Sequence, residues 1–423
     1  MFAWRERRAP IPVYLLMSGA SALFFAMIFT ISAVYRIEAA GLNPLQLVLV
    51  GTALELAAFL FEVPTGVVAD VYSRRRSLVI GFALIGAGFL LEGSLPLFAA
   101  ILLAQVLWGI GWTFTSGARE AWLADEVGEE RAGPVYLRAA QVGQLGALLG
   151  ALAGAGLATL RLNLPIVLGG ALFLALALAL ALLMPERGFR PAPRAARAAW
   201  PALGETFLAG ARLVRGRPLL LTILGIAVFT GMASEGFDRL WIAHLLAEFS
   251  LPALGPLAPV AWFGLIAVVS QLLGLAATEV ARRRLDATSH RAVSRTLFAL
   301  DGLLAAGMLA FTLAGSLGLA LAAYWAVAAL RTVAGPLTTA WLNQRLDPRV
   351  RATVLSMRGQ ADAFGQVAGG PALGALGTAV SLRAALLAAT AALLPALLLD
   401  ARAVRRPAGA PAEPAGAVAQ PET

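Results

Sequence analysis

The 423 residues contain no cysteine and, read along the whole chain, no lysine. Without thiols there is no disulfide framework and no thiolate metal site. Without lysine there is no Walker A loop, whose Lys must reach the phosphates of a nucleotide, so the chain holds no P-loop ATPase of its own. Any pumping then draws on an ion gradient or on a separate partner. Charge is scarce too: Asp, Glu, Lys and Arg make up 13% of the residues, against roughly 25% in a soluble domain. The two histidines, His244 and His290, are far apart and lack carboxylates at ligand spacing, so no metal site is implied, and no cofactor.

What remains is apolar. Hydrophobic residues make up 59% of the chain and the mean hydropathy is +0.79, which places it in a bilayer. A spanning helix needs roughly 20 apolar residues. Twelve such segments can be read, at 12–34, 44–66, 77–95, 97–118, 134–158, 163–184, 218–243, 254–278, 290–314, 316–342, 352–378 and 381–401. The first follows Arg5, Arg7 and Arg8 like a secretory leader, but its apolar part runs on to Val34, too long for a cleaved one. With the N-terminus inside, only Arg36, Arg161, Arg239, Arg331 and Arg383 fall outside the inner segments. That bias puts both termini in the cytoplasm and reads as a multi-pass protein of the cell inner membrane. The net charge of +9 does not signal nucleic acid, because the arginines punctuate apolar runs instead of clustering on a soluble face. The expected partners are a small-molecule substrate, membrane lipid and a coupling ion, for a chain acting as a monomer.

The stretch 185–217 is the only long interior interruption, and it separates a six-helix bundle at 1–184 from a second at 218–403, with a Pro- and Ala-rich tail at 404–423 expected to be disordered. The halves echo one another. Ala121-Trp122-Leu123 followed by Arg131 and Arg138 returns as Ala340-Trp341-Leu342 followed by Arg351 and Arg358, with Gly150 and Gly154 matched by Gly370 and Gly374, all at an offset near 220. Gly66 before Arg74 to Arg76 returns as Gly274 before Arg282 to Arg284, an offset of 208. A parallel repeat of two six-helix units suits a transporter with a central midplane site.

Between the second and third segments stands Gly66-Val-Val-Ala-Asp70-Val-Tyr-Ser-Arg74-Arg75-Arg76. It resembles the Gly-x-x-x-Asp-Arg-x-Gly-Arg-Arg signature of the major facilitator superfamily, with Val71 for the Arg and Ser73 for the second Gly, and the resemblance extends over roughly 12–401. It implies an all-α membrane protein of twelve transmembrane helices in two pseudo-symmetric six-helix bundles. It also implies a latch in which Gly66, Asp70, Arg74 and Arg75 meet the start of the eleventh helix near Arg351 or Arg358. The drug:proton antiporter type carries two further signatures, and here the chain departs from them. Gln105 precedes Gly109 and Gly111 where an arginine is expected in the fourth helix, and the fifth helix has glycines but no Gly-Pro. Glycines four apart also let helices approach closely, which is packing.

Ionisable residues at membrane depth are costly and usually face a cavity. Glu55 lies mid-span with no cation within a turn and is the first choice for a proton carrier. Asp301 and Arg331, mid-span on the ninth and tenth helices, suggest a buried pair, structural or functional. Glu235, Asp238 and Arg239 lie toward the outer end of the seventh helix, either as an outer gate or as a solvated helix end. Arg358 and Asp362 share the i,i+4 spacing that lets them satisfy each other. Trp108 and Trp112, one turn apart, either line a greasy cavity or join an interfacial belt. The expectation is a proton-coupled exporter of small amphipathic or cationic compounds. An uptake symporter or facilitator of a metabolite is the alternative. No catalytic constellation supports an enzyme.

Overall fold

No water reaches the middle of a bilayer, so a chain this apolar must satisfy its backbone polar groups within each segment, and helices do so. The computed structural model describes residues 10–191, 218–254, 258–285, 290–345 and 348–405. The N-terminal arginines, most of the linker and most of the tail lie outside them. The helices are α1 (Pro10–Val34), α2 (Pro44–Val71), α3 (Arg74–Ser94), α4 (Phe98–Thr115), α5 (Ala118–Val127), α6 (Glu129–Ala158), α7 (Leu164–Leu183), α8 (Pro218–Glu248), α9 (Ala261–Arg284), α10 (His290–Thr312), α11 (Leu317–Arg345), α12 (Pro348–Ala379), α13 (Leu382–Ala391) and α14 (Leu393–Arg405). A π-helical turn, Tyr35–Ala39, prolongs α1. The architecture is the all-helical, multi-pass one expected.

Local chemistry sets the ends. Asn43 and Gln46 close a capping box on α2, with Pro44 in its first turn. Gly117 and Gly128, at φ 68° and 86°, make the turns that isolate α5, a short helix between the expected fourth and fifth spans. The expected twelfth span is broken at Ala392, because Pro395 has no N–H to give the carbonyl of Ala391. Eleven helical segments among the described residues are long and apolar enough to cross a membrane. The expected eleventh span corresponds to α12, which carries Gln360, Asp362 and Gln366 beside Arg358 and is not among them.

Two compact units emerge. The first gathers α1 to α7 with residues 238–271 and 370–385. Its helices pair as α1 with α6 and α7, α3 with α4 and α7, and α2 with α4. The α1–α6 contact is built on Gly146, Gly150 and Gly154, where a Cβ would collide with the backbone carbonyls of Gly19, Leu23 and Met27. That close approach is what the spacing of four provides in a medium that offers no hydrophobic drive. Within the same unit the first turn of α2 meets the end of α12: Leu45 N–H donates to Thr378 Oγ1 at 2.9 Å, and a Cβ on Gly374 would lie 3.0 Å from Leu45 Cα. The second unit holds residues 218–237, 272–369 and 386–405 among those described, with α10 packed on α11 and α14. Its core includes Leu220, Ile223, Val293, Leu297 and Trp341, whose indole N–H donates to Ser294 Oγ at 2.7 Å.

Gly150→Val should therefore lower the melting temperature of the purified protein, at a cost of about 1–3 kcal/mol for a forced side chain. Gly156→Ala, where a Cβ meets nothing within 4 Å, should leave it unchanged or slightly raised.

Candidate functional site

The hinge between α2 and α3 is held from three directions. Ser73 caps α3, accepting from the Arg76 N–H at 3.0 Å. The Glu186 carboxylate takes the Ser73 hydroxyl at 2.7 Å and the Arg75 N–H at 2.9 Å, placing a negative charge where the helix dipole favours one. Arg75 Nη2 donates to the Ala181 carbonyl. Arg74 lies 3.3 Å from Asp70 and 2.6 Å from Asp125 on α5. The start of the linker is fixed to α5 in turn: Glu126 Oε1 accepts from the N–H groups of Arg187 and Gly188 at 2.5 and 2.8 Å, and Trp122 donates to the Pro185 carbonyl at 2.8 Å. Gly66 has open space where a Cβ would stand. The side chain of Arg351 lies outside the described residues, and Arg358 is found in the second unit beside Asp301. Asp362 accepts from Gln366 Nε2 at 2.8 Å.

The most deeply buried charges of the first unit form a network that the sequence did not single out. Arg36, in the π-turn, meets Glu92 of α3 in a bidentate pair at 2.8 and 3.2 Å, with side-chain exposures of 7% and 0%. Gln105 of α4 adds its amide N–H to Glu92 Oε2 at 2.8 Å, and the Tyr35 hydroxyl donates to the Glu92 carbonyl at 2.8 Å. Gln105 stands where the antiporter signature places an arginine. The cation of this neighbourhood comes instead from the end of α1. The only sequence signal was Arg36 standing outside the inner segments.

An aromatic cluster lies beside that network. Phe25 and Phe29 of α1 stack at 5.3 Å, Phe29 and Trp108 are 4.9 Å apart, Phe89 and Trp108 5.4 Å, and Phe25 and Phe173 4.7 Å. Trp112 joins through Phe25 at 6.2 Å, and Arg119 sits 5.9 Å over its ring. One turn on, Ser116 donates to Glu62 Oε1 at 3.4 Å, which brings α2 and its carboxylates to the inner end of α4. Glu55 is half-buried on α2, next to Leu54, whose carbonyl lies 2.8 Å from where a Gly109 Cβ would be. Trp108 and Trp112 are thus part of one aromatic assembly with α1.

In the second unit Asp301 does not have Arg331 as its hydrogen-bond partner. It shares a side-chain hydrogen bond with Asp400 of α14, and Arg358 supplies the nearby positive charge. Two carboxyl groups can make that bond only if one of them holds a proton. Asp400 Oδ2 is buried and has no further hydrogen-bond partner. Arg331 lies 5.4 Å over the ring of Phe237, which packs on Phe311. Glu235 is 2% exposed and falls in the middle of α8, which runs five residues beyond its expected end, while Asp238 is exposed. No group of three or more metal-ligating side chains occurs among the described residues.

Residues 14–343 match the profile of the Major Facilitator Superfamily. An uncharacterized MFS-type transporter of Bacillus subtilis (strain 168), YxaM, is 23% identical over 345 residues, covering 80% of this chain and 82% of that one. Among solved structures, the nucleoside transporter NupG superposes with a TM-score of 0.73 at 14% identity, over 94% of this chain and all of the other. A POT family transporter in complex with 5-aminolevulinic acid gives 0.70 at 12%, over 94% and 96%. At such identities the structural likeness concerns the fold.

Removing one partner of the buried pair leaves an uncompensated charge, so Glu92→Leu should cost about 3–5 kcal/mol. The double variant Arg36→Met/Glu92→Leu should recover most of that loss, read as melting temperature and yield of folded protein in detergent.

Proposed function

The chain belongs to the Major Facilitator Superfamily, and we propose that within it this membrane transporter is a secondary active one that exports small amphipathic or cationic compounds in exchange for protons. The observation that carries the coupling is the Asp301–Asp400 hydrogen bond, which keeps a proton between two carboxyl groups on spanning helices, beside the Arg358 cation. A group that holds a proton in one surrounding and yields it when a cation or water approaches can link proton flow to a change of shape. Glu55, half-buried on α2 of the first unit, is the second carboxyl for that task. Glu235 and Asp238 extend the set of acids on α8, with Arg331 held against Phe237 as a fixed positive charge. The Asp70, Arg74 and Arg75 hinge, with Arg351, Arg358 and Asp362 on α12, is assigned to gating on the cytoplasmic side, where both termini lie. The inner membrane of a cell and a monomeric state complete the reading.

A second reading, uptake of a metabolite, is favoured by one feature. Gln105 replaces the arginine of the antiporter signature, and its amide is committed to Glu92.

Proteoliposomes loaded with ethidium and given an imposed pH gradient discriminate the two. Export requires efflux that accelerates as protons flow in, and it requires that Asp301→Asn and Glu55→Gln abolish the acceleration while gradient-free exchange persists. Accumulation of the dye together with protons would replace export by symport, and indifference to the gradient in both directions would remove coupling altogether. Asp70→Asn should slow both directions without changing the amount of folded protein.

A further inference from the structure

We propose that the aromatic cluster of α1, α3 and α4 is a binding site for a planar heteroaromatic ring, seated against Phe29 and Trp108 and identified by a hydrogen bond from the Trp108 indole N–H to an acceptor on that ring. The proposal rests on the transporter reading above and narrows its substrate class. Three observations carry it.

The first is an unused donor. Trp108 Nε1 is buried and has no hydrogen-bond partner, although buried indole N–H groups ordinarily find one. One turn earlier Gln105, whose side chain is fully buried and whose amide N–H is fixed on Glu92, leaves its Oε1 equally without a partner. A donor and an acceptor adjacent on one helix, both desolvated and both unmet, constitute a cost that a ligand with complementary edges removes.

The second is the state of the rings. Phe29 and Trp112 are 41% and 40% exposed although each is packed in the cluster, whereas Phe89 behind them is 1% exposed. Phe29 stacks on Phe25 and meets Trp108 at 42°, so the Phe29–Trp108 contact is not a parallel stack that covers both rings. An incoming flat ring finds π surface at an offset or edge-to-face angle, the arrangements that aromatic pairs prefer.

The third is the setting. The Arg119 guanidinium lies over the ring of Trp112, and Glu62 reaches Ser116 one turn beyond. Polar and charged side chains thus stand within about one turn of the partly exposed Trp112 ring, at the inner end of α4. A saturated ring would gain burial there but neither stacking nor the indole hydrogen bond.

The test is displacement of tritiated quinoline from the full-length protein in detergent by unlabelled quinoline, naphthalene and decahydroquinoline. Quinoline is flat with a ring-nitrogen acceptor, naphthalene is flat without one, and decahydroquinoline is neither flat nor aromatic. Quinoline should displace best and decahydroquinoline worst. Trp108→Phe keeps a ring and removes the N–H, and it should weaken quinoline by about tenfold while leaving naphthalene unchanged. Phe29→Leu should weaken both aromatic ligands by about fivefold. Equal displacement by decahydroquinoline overturns the site, as does a quinoline-to-naphthalene ratio that Trp108→Phe leaves intact. Should either variant fail to fold, the ranking of the three ligands on the unaltered protein still decides. The outcome is separable from the export reading: ring binding with no gradient-driven ethidium flux sinks only the export, and flux without ring selectivity sinks only the site.

Discussion

A charge taken out of water has to be answered within hydrogen-bond reach, and that constraint governs where this protein can place its few ionisable residues. Arg36 and Glu92 answer one another almost completely, with Gln105 and Tyr35 taking up remaining positions around the carboxylate and its backbone. Asp301 and Asp400 meet the same demand differently, through a side-chain hydrogen bond to one another. The two solutions differ in what they leave available. A bidentate ion pair is closed and can only be broken, whereas a hydrogen bond between two carboxyl groups requires that one of them be protonated and so depends on pH.

The second constraint is contact between backbones. Helices in lipid gain nothing from hiding apolar surface from one another, so the first unit relies on glycine wherever α1 meets α6 and α2 meets α4. Of the aromatic rings on α1, α3 and α4, Phe89 is consumed by packing while Phe29 and Trp112 stay partly exposed. A common fold with nucleoside and peptide transporters therefore says little about cargo. Cargo is decided by what projects from the scaffold.

Sequence reading reached those features whose cause is local. The hinge was visible because Gly66, Asp70 and the arginines interrupt two apolar runs, and the glycine rows because a spacing of four is a packing signal wherever it occurs. The break at Ala392 was equally local, since Pro395 announces it, yet it passed unnoticed inside an apolar stretch. Pairings at a distance were not legible. Arg36 and Glu92 stand 56 positions apart, and nothing in either segment says which faces meet. Asp400 escaped notice because it lies two residues from Arg402 at the inner end of the last span, where an acid looks like an ordinary surface residue. Trp108 and Trp112 were read, but Phe25, Phe29, Phe89 and Phe173 were not, because phenylalanine in a membrane helix is unremarkable until its neighbours are known.

The capture of the linker's first residues has a mechanical consequence. Glu186 is bonded to the first turn of α3 and its Ser73 cap, and Arg187 and Gly188 to Glu126 of α5, so the chain leaving α7 does not hang from the end of that helix. The residues that follow α7 are thereby tied to the N-terminus of α3 and to α5, the two elements that position Arg74 between Asp70 and Asp125, so a load on these residues is taken by the hinge before it reaches the end of α7.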